Sequence, residues 1–157
     1  MYYYRKALTF EPNSAFILAC IGFAYIDHSE DEAKKYVEKA LKISSSCGWG
    51  YVVLGKLSMK NKMIDEAEKN YVKAIEFSPF NVNFHCFLGD LYSSQNNYAK
   101  ALCCYQKCTE LDPYDSKYHI LMGSIYESMN QIDFAEKYYE KAVSVNSEEF
   151  KSIKSLA

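Results

Sequence analysis

Proline and glycine are scarce in this chain. Its 157 residues include only three prolines and six glycines, which argues against a loop-rich protein and favours helix. Long apolar runs are missing as well, because no stretch approaches the roughly 20 residues that a transmembrane helix needs. The net charge of −2 gives no electrostatic reason to expect binding to nucleic acid or to an anionic membrane. Composition therefore predicts a soluble helical protein.

Cysteine is present, but its pattern suggests neither disulfides nor a metal. Six cysteines are too few for a small disulfide scaffold of this length, and no Asn-x-Ser/Thr acceptor occurs. We therefore expect an intracellular protein, cytoplasmic or nuclear. Cys103, Cys104 and Cys108 could supply soft-metal ligands. No CxxC pair accompanies them, however, and Cys108 falls where a small residue would pack. We predict no metal site and no cofactor.

The chain instead contains a repeat with a period of 34 residues. Glycine recurs at this spacing, once shortened to 33, at Gly22, Gly55, Gly89 and Gly123. Alanine recurs with the same period at Ala33, Ala67, Ala101 and Ala135. Pro79 and Pro113 close two of the repeats. A glycine inside a helix costs about 1 kcal/mol relative to alanine, so its recurrence indicates places where helices approach closely.

This pattern resembles the tetratricopeptide repeat (TPR), in which Leu-Gly-x-x-Tyr on helix A is followed by Ala-x-x-x-aromatic-x-x-Ala and Pro on helix B. The resemblance implies an all-α fold, a right-handed TPR superhelix of antiparallel helix pairs with about nine helices. The position that usually holds tryptophan carries Leu18, Tyr51, His85 and His119, where an imidazole simply fills space. The first repeat is one residue short in its A–B turn, so we expect different packing there.

The repeat frame predicts a single TPR domain over residues 1–157. It contains a partial repeat at 1–14, with a second helix only, and full repeats at 15–47, 48–81, 82–115 and 116–149. Residues 150–157 are expected to start a further or capping helix. We expect a segment of a longer array, the alternative being a short protein with atypical capping helices. Apolar flanks at the two ends predict possible self-association.

The resemblance also implies a non-catalytic protein-interaction module that holds a peptide or helix of a partner in a concave groove. Fixed A-helix positions face that groove in the family. On this sequence they give the expected partner-binding residues Phe16, Ala19, Phe23, Ile26, Trp49, Val52, Lys56, Met59, Asn83, Cys86, Asp90, Lys117 and Ile120. The family members that bind chaperone tails use a clamp of Lys, Asn and Arg. Only Lys117 fits that clamp, so we expect a partly apolar protein or peptide instead.

Two other functions remain open at this stage. The chain could be a structural segment of a larger multi-subunit assembly, because its N-terminal residues faintly resemble TPR subunits of the anaphase-promoting complex. It could also be a TPR segment appended to an enzyme. The sequence itself contains no phosphate-binding glycine loop and no nucleophile elbow, so we predict no catalytic residues.

Trp49 is the single tryptophan, and two roles are open for it. Its position on helix A predicts a groove-lining side chain surrounded by Phe16, Phe23, Val52 and Met59. Its glycine neighbours are equally compatible with a residue that covers the junction between the first two repeats. The frame further predicts that Cys104 faces outward on its helix.

Overall fold

The structure, a computed structural model, describes the backbone of residues 2–155 and the side chains outside positions 1, 2, 5 and 146–157. Over the described backbone the chain forms nine α-helices and no strand. The helices are α1 (Tyr2–Phe10), α2 (Ala15–Tyr25), α3 (Glu30–Ile43), α4 (Gly48–Lys60), α5 (Ile64–Phe77), α6 (Val82–Ser94), α7 (Tyr98–Leu111), α8 (Lys117–Ser128) and α9 (Ile132–Ser155). The predicted all-α repeat fold is confirmed. Among the described helices, none is long and apolar enough to span a bilayer.

The helices belong to two compact units, Met1–Phe80 and Asn81–Ala157. In the first unit α2 pairs with α3 and α4 pairs with α5, while α4 also packs on both α2 and α3, and α1 packs on α2. In the second unit α6 pairs with α7 and α8 pairs with α9, while α8 packs on α7. Within each unit, the first helix of one pair therefore lies against the preceding pair, as in stacked two-helix repeats.

Three of the recurring glycines lie where the two helices of a pair touch. A Cβ atom added to Gly55, Gly89 or Gly123 would lie 2.5, 2.7 or 2.6 Å from a tyrosine Cε1 on the partner helix. The tyrosines concerned are Tyr71, Tyr105 and Tyr139. Their rings lie against bare backbone, so aromatic packing offsets the helix cost of these glycines.

In the first helix pair, α2 and α3, the recurring glycine makes a different contact. Val37 stands where the other pairs have tyrosine, and an added Cβ at Gly22 would first meet the backbone oxygen of Ala33, at 3.2 Å. The close approach in this pair is therefore between two backbones. Val37 and Ala33 are both fully buried in the core of the first unit.

Three of the four A–B turns share one backbone feature. Lys62, Asn96 and Asn130 have positive φ angles of 60°, 55° and 57°. These residues lie one period apart, between α4 and α5, α6 and α7, and α8 and α9. Asparagine tolerates the left-handed region better than most residues, whereas lysine has no local side-chain hydrogen bond to favour it.

Lys62→Gly is expected to raise the free energy of unfolding of the first unit by about 1 kcal/mol, because glycine adopts positive φ without a steric penalty. Lys62→Asn should give a smaller gain. Urea unfolding monitored by circular dichroism measures both variants. The reciprocal change Asn96→Lys serves as the control and should lower stability in the second unit. A loss of stability in Lys62→Gly would contradict this explanation of the turn.

The first A–B turn is built differently: it is longer than the three-residue turns of the other pairs, because α2 ends three residues after its glycine and the other A helices end five residues after theirs. Its four residues, Ile26 to Ser29, connect α2 to α3, and Ile26 is buried. Lys60 at the end of α4 donates a hydrogen bond to the Ile26 backbone oxygen at 2.8 Å. The same ammonium lies 3.6 Å from a Glu30 carboxylate oxygen. The second A–B pair thus satisfies a carbonyl in the first A–B turn.

The last helix does not break where the repeat frame expects an end. The frame placed a boundary between residues 149 and 150, but α9 continues without interruption to Ser155. Two earlier B helices end just before Pro79 and Pro113, and proline cannot extend a helix. Ser147 replaces proline here, so no proline stops the helix, although α3 ends at Ile43 with Ser45 at the same repeat position. The last two residues of the expected capping helix, 156 and 157, lie outside the described residues.

Candidate functional site

Three of the expected partner-binding residues form one aromatic cluster in the first unit. The rings of Phe16 and Trp49 have centroids 6.4 Å apart, and those of Phe23 and Trp49 are 6.0 Å apart. Both contacts are edge-on, at interplanar angles of 75° and 88°. Phe16 keeps 54% of its surface exposed. We call Phe16, Phe23 and Trp49 the aromatic surface. It joins α2 to α4.

Trp49 combines the two roles that the sequence left open. Besides its contacts with the two phenylalanines, it packs against a buried cluster of Leu18, Ala19 and Ala40 on α2 and α3. It is neither fully buried nor fully exposed. Trp49 therefore covers the junction between the first two helix pairs with one side of its indole ring and contributes to an accessible surface with another.

Four of the expected partner-binding residues are buried within their own units. Their exposed fractions are 7% or less at Ala19, Ile26, Val52 and Cys86. They have little area to offer a partner directly. Val52 in particular does not stand beside Trp49 as an accessible apolar residue. Lys56 and Met59 remain partly accessible on α4.

The second unit carries most of the polar members of the expected set, together with Ile120. Asn83, Asp90, Lys117 and Ile120 are exposed there. Asp90 accepts a hydrogen bond from the Tyr105 hydroxyl at 2.7 Å. Burial, with the Asp90 hydrogen bond second, raises the pKa of Tyr105 above its ordinary value. Tyr105 therefore remains a neutral donor at neutral pH, and one Asp90 oxygen is used in holding it.

Two cysteines of α7, Cys104 and Cys108, are packing residues with suppressed reactivity. Burial raises the pKa of Cys104 to about 11 and the pKa of Cys108 to about 12. Cys108 is fully buried, whereas Cys104, which the repeat frame expects to face outward, is partly buried. Within the described residues, no group of three or more His, Cys, Asp or Glu side chains is arranged to hold a metal ion.

Cys103 is expected to react with iodoacetamide near pH 8 much faster than Cys104 or Cys108, because only thiolates attack and buried thiols with raised pKa values supply few of them. Cys103 is exposed on the same helix and serves as the internal reference. Peptide mass spectrometry of the labelled protein measures each site. Rapid modification of Cys108 in the folded protein would contradict the packing role. Its labelling should rise only after unfolding in urea.

Sequence reasoning missed a second aromatic group, which lies in the second unit. Tyr126 of α8 stacks on Tyr138 of α9 at 5.2 Å and on Phe134 at 5.3 Å. His119 lies 6.2 Å from Tyr138. The repeat spacing could have indicated this group. Tyr126 follows the glycine of its repeat by three residues, and Tyr138 follows the alanine by three. Tyr25 and Tyr36 occupy the same two positions in the first pair.

The chain matches known repeats and known folds. The family model described as tetratricopeptide repeat matches residues 50–81, 82–115 and 116–149. These segments correspond to the second, third and fourth full repeats of the frame. No curated protein matches the chain.

Several solved structures share the fold. A crystal structure of MamA has a TM-score of 0.73 and 24% identity, covering 94% of this chain and 87% of that one. A second MamA crystal structure has a TM-score of 0.74 and 24% identity, covering 94% of this chain and 81% of that one. A monomeric mutant of IFIT1 with m7Gppp-AAAA has a TM-score of 0.76 and 20% identity, covering 89% of this chain and 35% of that one. Likeness at these identities concerns the fold alone.

Proposed function

The chain belongs to the tetratricopeptide repeat family, a family of protein-interaction modules, and we propose that its first unit binds an apolar peptide or helix of a protein partner through the aromatic surface. The observation that carries this proposal is the exposure of Phe16. Its ring rests edge-on against Trp49 and leaves 54% of the residue accessible. Large aromatic side chains that are accessible and held in place are favoured as binding anchors.

Rigid support makes this surface better suited to binding than a lone exposed phenylalanine. Trp49 is fixed from below by the buried cluster of Leu18, Ala19 and Ala40. Phe23 in turn packs against the neighbouring buried cluster around Val37. A partner that docks here finds rings already ordered, so less side-chain entropy is lost on association.

The positive charge at the C-terminal end of α4 is balanced within the first unit. The ammonium of Lys60 contacts the Ile26 carbonyl oxygen and a Glu30 carboxylate oxygen, at 2.8 and 3.6 Å. Glu30 also accepts a hydrogen bond from Asn61 at 3.4 Å. This lysine therefore adds little to the attraction of an acidic partner.

Phe16→Glu tests the proposal, because it places a charge in the aromatic surface without removing a core residue. The probe is a phage-displayed library of random peptides, selected on the whole chain and then titrated as synthetic peptides. We expect selected peptides to be apolar or aromatic and to lose about tenfold or more in affinity for Phe16→Glu. Phe80→Glu is the matched control, since Phe80 is more exposed and lies at the end of the first unit.

Two outcomes would contradict the proposal. One is an absence of selected peptides that bind the first unit. The other is equal weakening by Phe16→Glu and Phe80→Glu, which would mean that added charge, and not the aromatic surface, reduces binding. Circular dichroism melts of both variants establish that the fold is retained. Binding that tolerates Phe16→Glu but is abolished by changes at Asn83 or Lys117 would move the site to the second unit.

The same proposal includes the absence of catalysis. The buried thiols of α7 are protonated at neutral pH because their pKa values are raised. Burial, and the positive charge of Lys141 after it, lower the pKa of His119, which therefore stays a neutral packing residue. These groups support packing roles rather than acid–base or nucleophilic chemistry. Self-association and an intracellular location remain predictions from the sequence.

A further inference from the structure

Two rings of the aromatic surface form a corner. The planes of Phe16 and Trp49 meet at 75°, and their centroids are 6.4 Å apart. Phe16 belongs to α2 and Trp49 to α4, so the corner joins two helices that pack on each other. Phe16 is more than half exposed and Trp49 is partly exposed, so solvent reaches both side chains. We call this pair the Phe16–Trp49 corner.

The dimensions of the corner suit a cation. A positive group on the axes of both rings, at equal distances from the two centroids, would lie about 4–5 Å from each of them at this separation and angle. Cations are attracted to an aromatic face within about 6 Å of the ring centroid, and tryptophan has the most favourable face. The two rings are therefore spaced so that one cation can contact both.

The tryptophan wall of the corner is held in place by its other contacts. The Phe23 ring meets the indole at 88°, with the centroids 6.0 Å apart. The indole also packs against the buried cluster on α2 and α3. Trp49 is thus ordered before a ligand arrives, so little side-chain entropy is lost when one binds.

The two helices that carry the corner supply no charge close to it in sequence. The α2 helix has no charged residue, and the first charged residue of α4 is Lys56, seven residues after Trp49. The rings themselves offer no hydrogen-bond acceptor, because phenylalanine has no polar atom and the indole is a donor only. A cation that binds here must therefore require neither a carboxylate nor a hydrogen bond from these helices.

We propose that the Phe16–Trp49 corner binds the quaternary ammonium group of a trimethylated lysine on a protein partner. A trimethylammonium group keeps its positive charge but has no N–H, so aromatic faces alone can hold it. The ammonium of unmodified lysine is strongly hydrated and would lose hydrogen bonds to water in the corner. This ligand defines one class of partner for the aromatic surface, and the inference rests on the proposed function.

The choline headgroup of a lipid carries the same quaternary ammonium but fits the corner less well. Its phosphate lies close to the ammonium and requires a positive partner of its own. The α2 helix and residues 48–55 of α4 contain no lysine or arginine to provide one. A trimethyl-lysine side chain brings no such anion, so the corner favours the modified lysine over the lipid.

The test uses Trp49 as the reporter, because it is the only tryptophan of the chain and forms one wall of the corner. Three short peptides are titrated into the intact chain. They are identical except for one side chain, which is trimethyl-lysine, unmodified lysine or a neutral isostere in which carbon replaces the quaternary nitrogen. We expect trimethyl-lysine to change the fluorescence saturably, with a Kd of about 1 mM or below, and the other two to bind about fivefold or more weakly.

Phe16→Leu removes one ring of the corner and keeps an apolar side chain at the same position. We expect it to weaken binding of the trimethyl-lysine peptide by about fivefold or more. Phe80→Leu is the matched control, because Phe80 is an exposed phenylalanine of the same unit and should leave binding unchanged. Both variants retain the tryptophan reporter. Circular dichroism melts establish that both retain the fold.

The inference is wrong if the trimethyl-lysine peptide produces no saturable change up to about 10 mM, or if Phe16→Leu binds it as tightly as the unchanged chain. It is also wrong if the neutral isostere binds equally well, because the charge would then contribute nothing. Apolar peptides selected by phage display are titrated beside these ligands. If they bind and depend on Phe16 while trimethyl-lysine does not bind, the proposed function stands and only the cation site is rejected.

Phosphatidylcholine vesicles examine the other source of a quaternary ammonium. They should not bind the chain in a flotation assay. Vesicle binding that Phe16→Leu abolishes, without binding of the trimethyl-lysine peptide, would assign the corner to a lipid headgroup and overturn the modified lysine.

Discussion

Gly89→Leu is expected to lower the free energy of unfolding of the second unit by about 3 kcal/mol, at the upper end of the range for overpacked cores. Even a single added Cβ would lie 2.7 Å from Cε1 of Tyr105, closer than such atoms pack. The ring has little room to retreat, because it is 2% exposed and shares a core with Cys86, Ala101 and Cys108. Its hydroxyl is also held by Asp90 at 2.7 Å.

Cys104→Ser is the comparison variant for this change. Cys104 is only partly buried, so exchanging its sulfur for oxygen should cost about 1 kcal/mol or less. Urea unfolding followed by circular dichroism gives both values. Equal losses in the two variants would mean that Gly89 is not the point of closest approach between α6 and α7.

A double-mutant cycle isolates the tyrosine as the cause. Gly89→Ala alone should destabilise, although alanine is the better helix former by about 1 kcal/mol. In a Tyr105→Val background, which imitates the Gly22 and Val37 pair of the first repeat, the same Gly89→Ala change should be neutral or stabilising. The expected coupling between the two sites is about 1–3 kcal/mol. Additive effects would leave the recurring glycine without this explanation.

The fold could be predicted from the sequence because its strongest signals are periodic. Glycine and alanine recur every 34 residues at places where one helix must approach another, and no other common fold requires that combination. The contact that makes glycine necessary at these positions was harder to predict from the sequence than the repeat itself. The tyrosine four residues after three of the four alanines was recognised as part of the motif, but its ring position on Gly55, Gly89 and Gly123 emerges only from the packed helix pairs.

Local departures from the frame depended on single residues. The frame placed a boundary between residues 149 and 150, but α9 continues to Ser155. Serine at the proline position does not decide the outcome, because α3 ends at Ile43 before Ser45 while α9 continues through Ser147. The missing residue of the first repeat was assigned to its turn, but it is α2 that is shorter, and the turn is stabilised by Lys60, 34 residues away from the Ile26 carbonyl that it binds. A contact between neighbouring repeats of this kind has no signature in the residues of the turn itself.

The candidate site was predicted in position but not in depth. Repeat positions correctly brought Phe16, Phe23 and Trp49 together. The same rule also selected Val52 and Cys86, which are 0% and 4% exposed. A position in a repeat specifies the face of a helix, whereas burial depends on the size of the neighbouring side chains, and those differ between repeats.

Trp49→Ala should separate the two roles of the single tryptophan, and we expect it to reduce the free energy of unfolding by about 3 kcal/mol. The reason is the contact of the indole with Leu18, Ala19 and Ala40, which alanine would leave partly empty. The partial exposure of Trp49 keeps the expected loss at the lower end of the range for large aromatic residues. Phe16→Ala, at a more exposed ring, should cost about 1 kcal/mol or less.

Trp49→Phe is the intermediate variant in this experiment, because it keeps an aromatic ring at position 49. A phenyl ring can keep part of the packing on the buried cluster and an edge-on contact with Phe16 and Phe23, so it should recover about half of the stability that alanine loses. Unfolding is followed by circular dichroism, because both variants lack the tryptophan fluorophore. A loss below about 1 kcal/mol for Trp49→Ala would show that the indole contributes mainly to the accessible surface. In that case peptide binding, and not folding, would be the property that Trp49 controls.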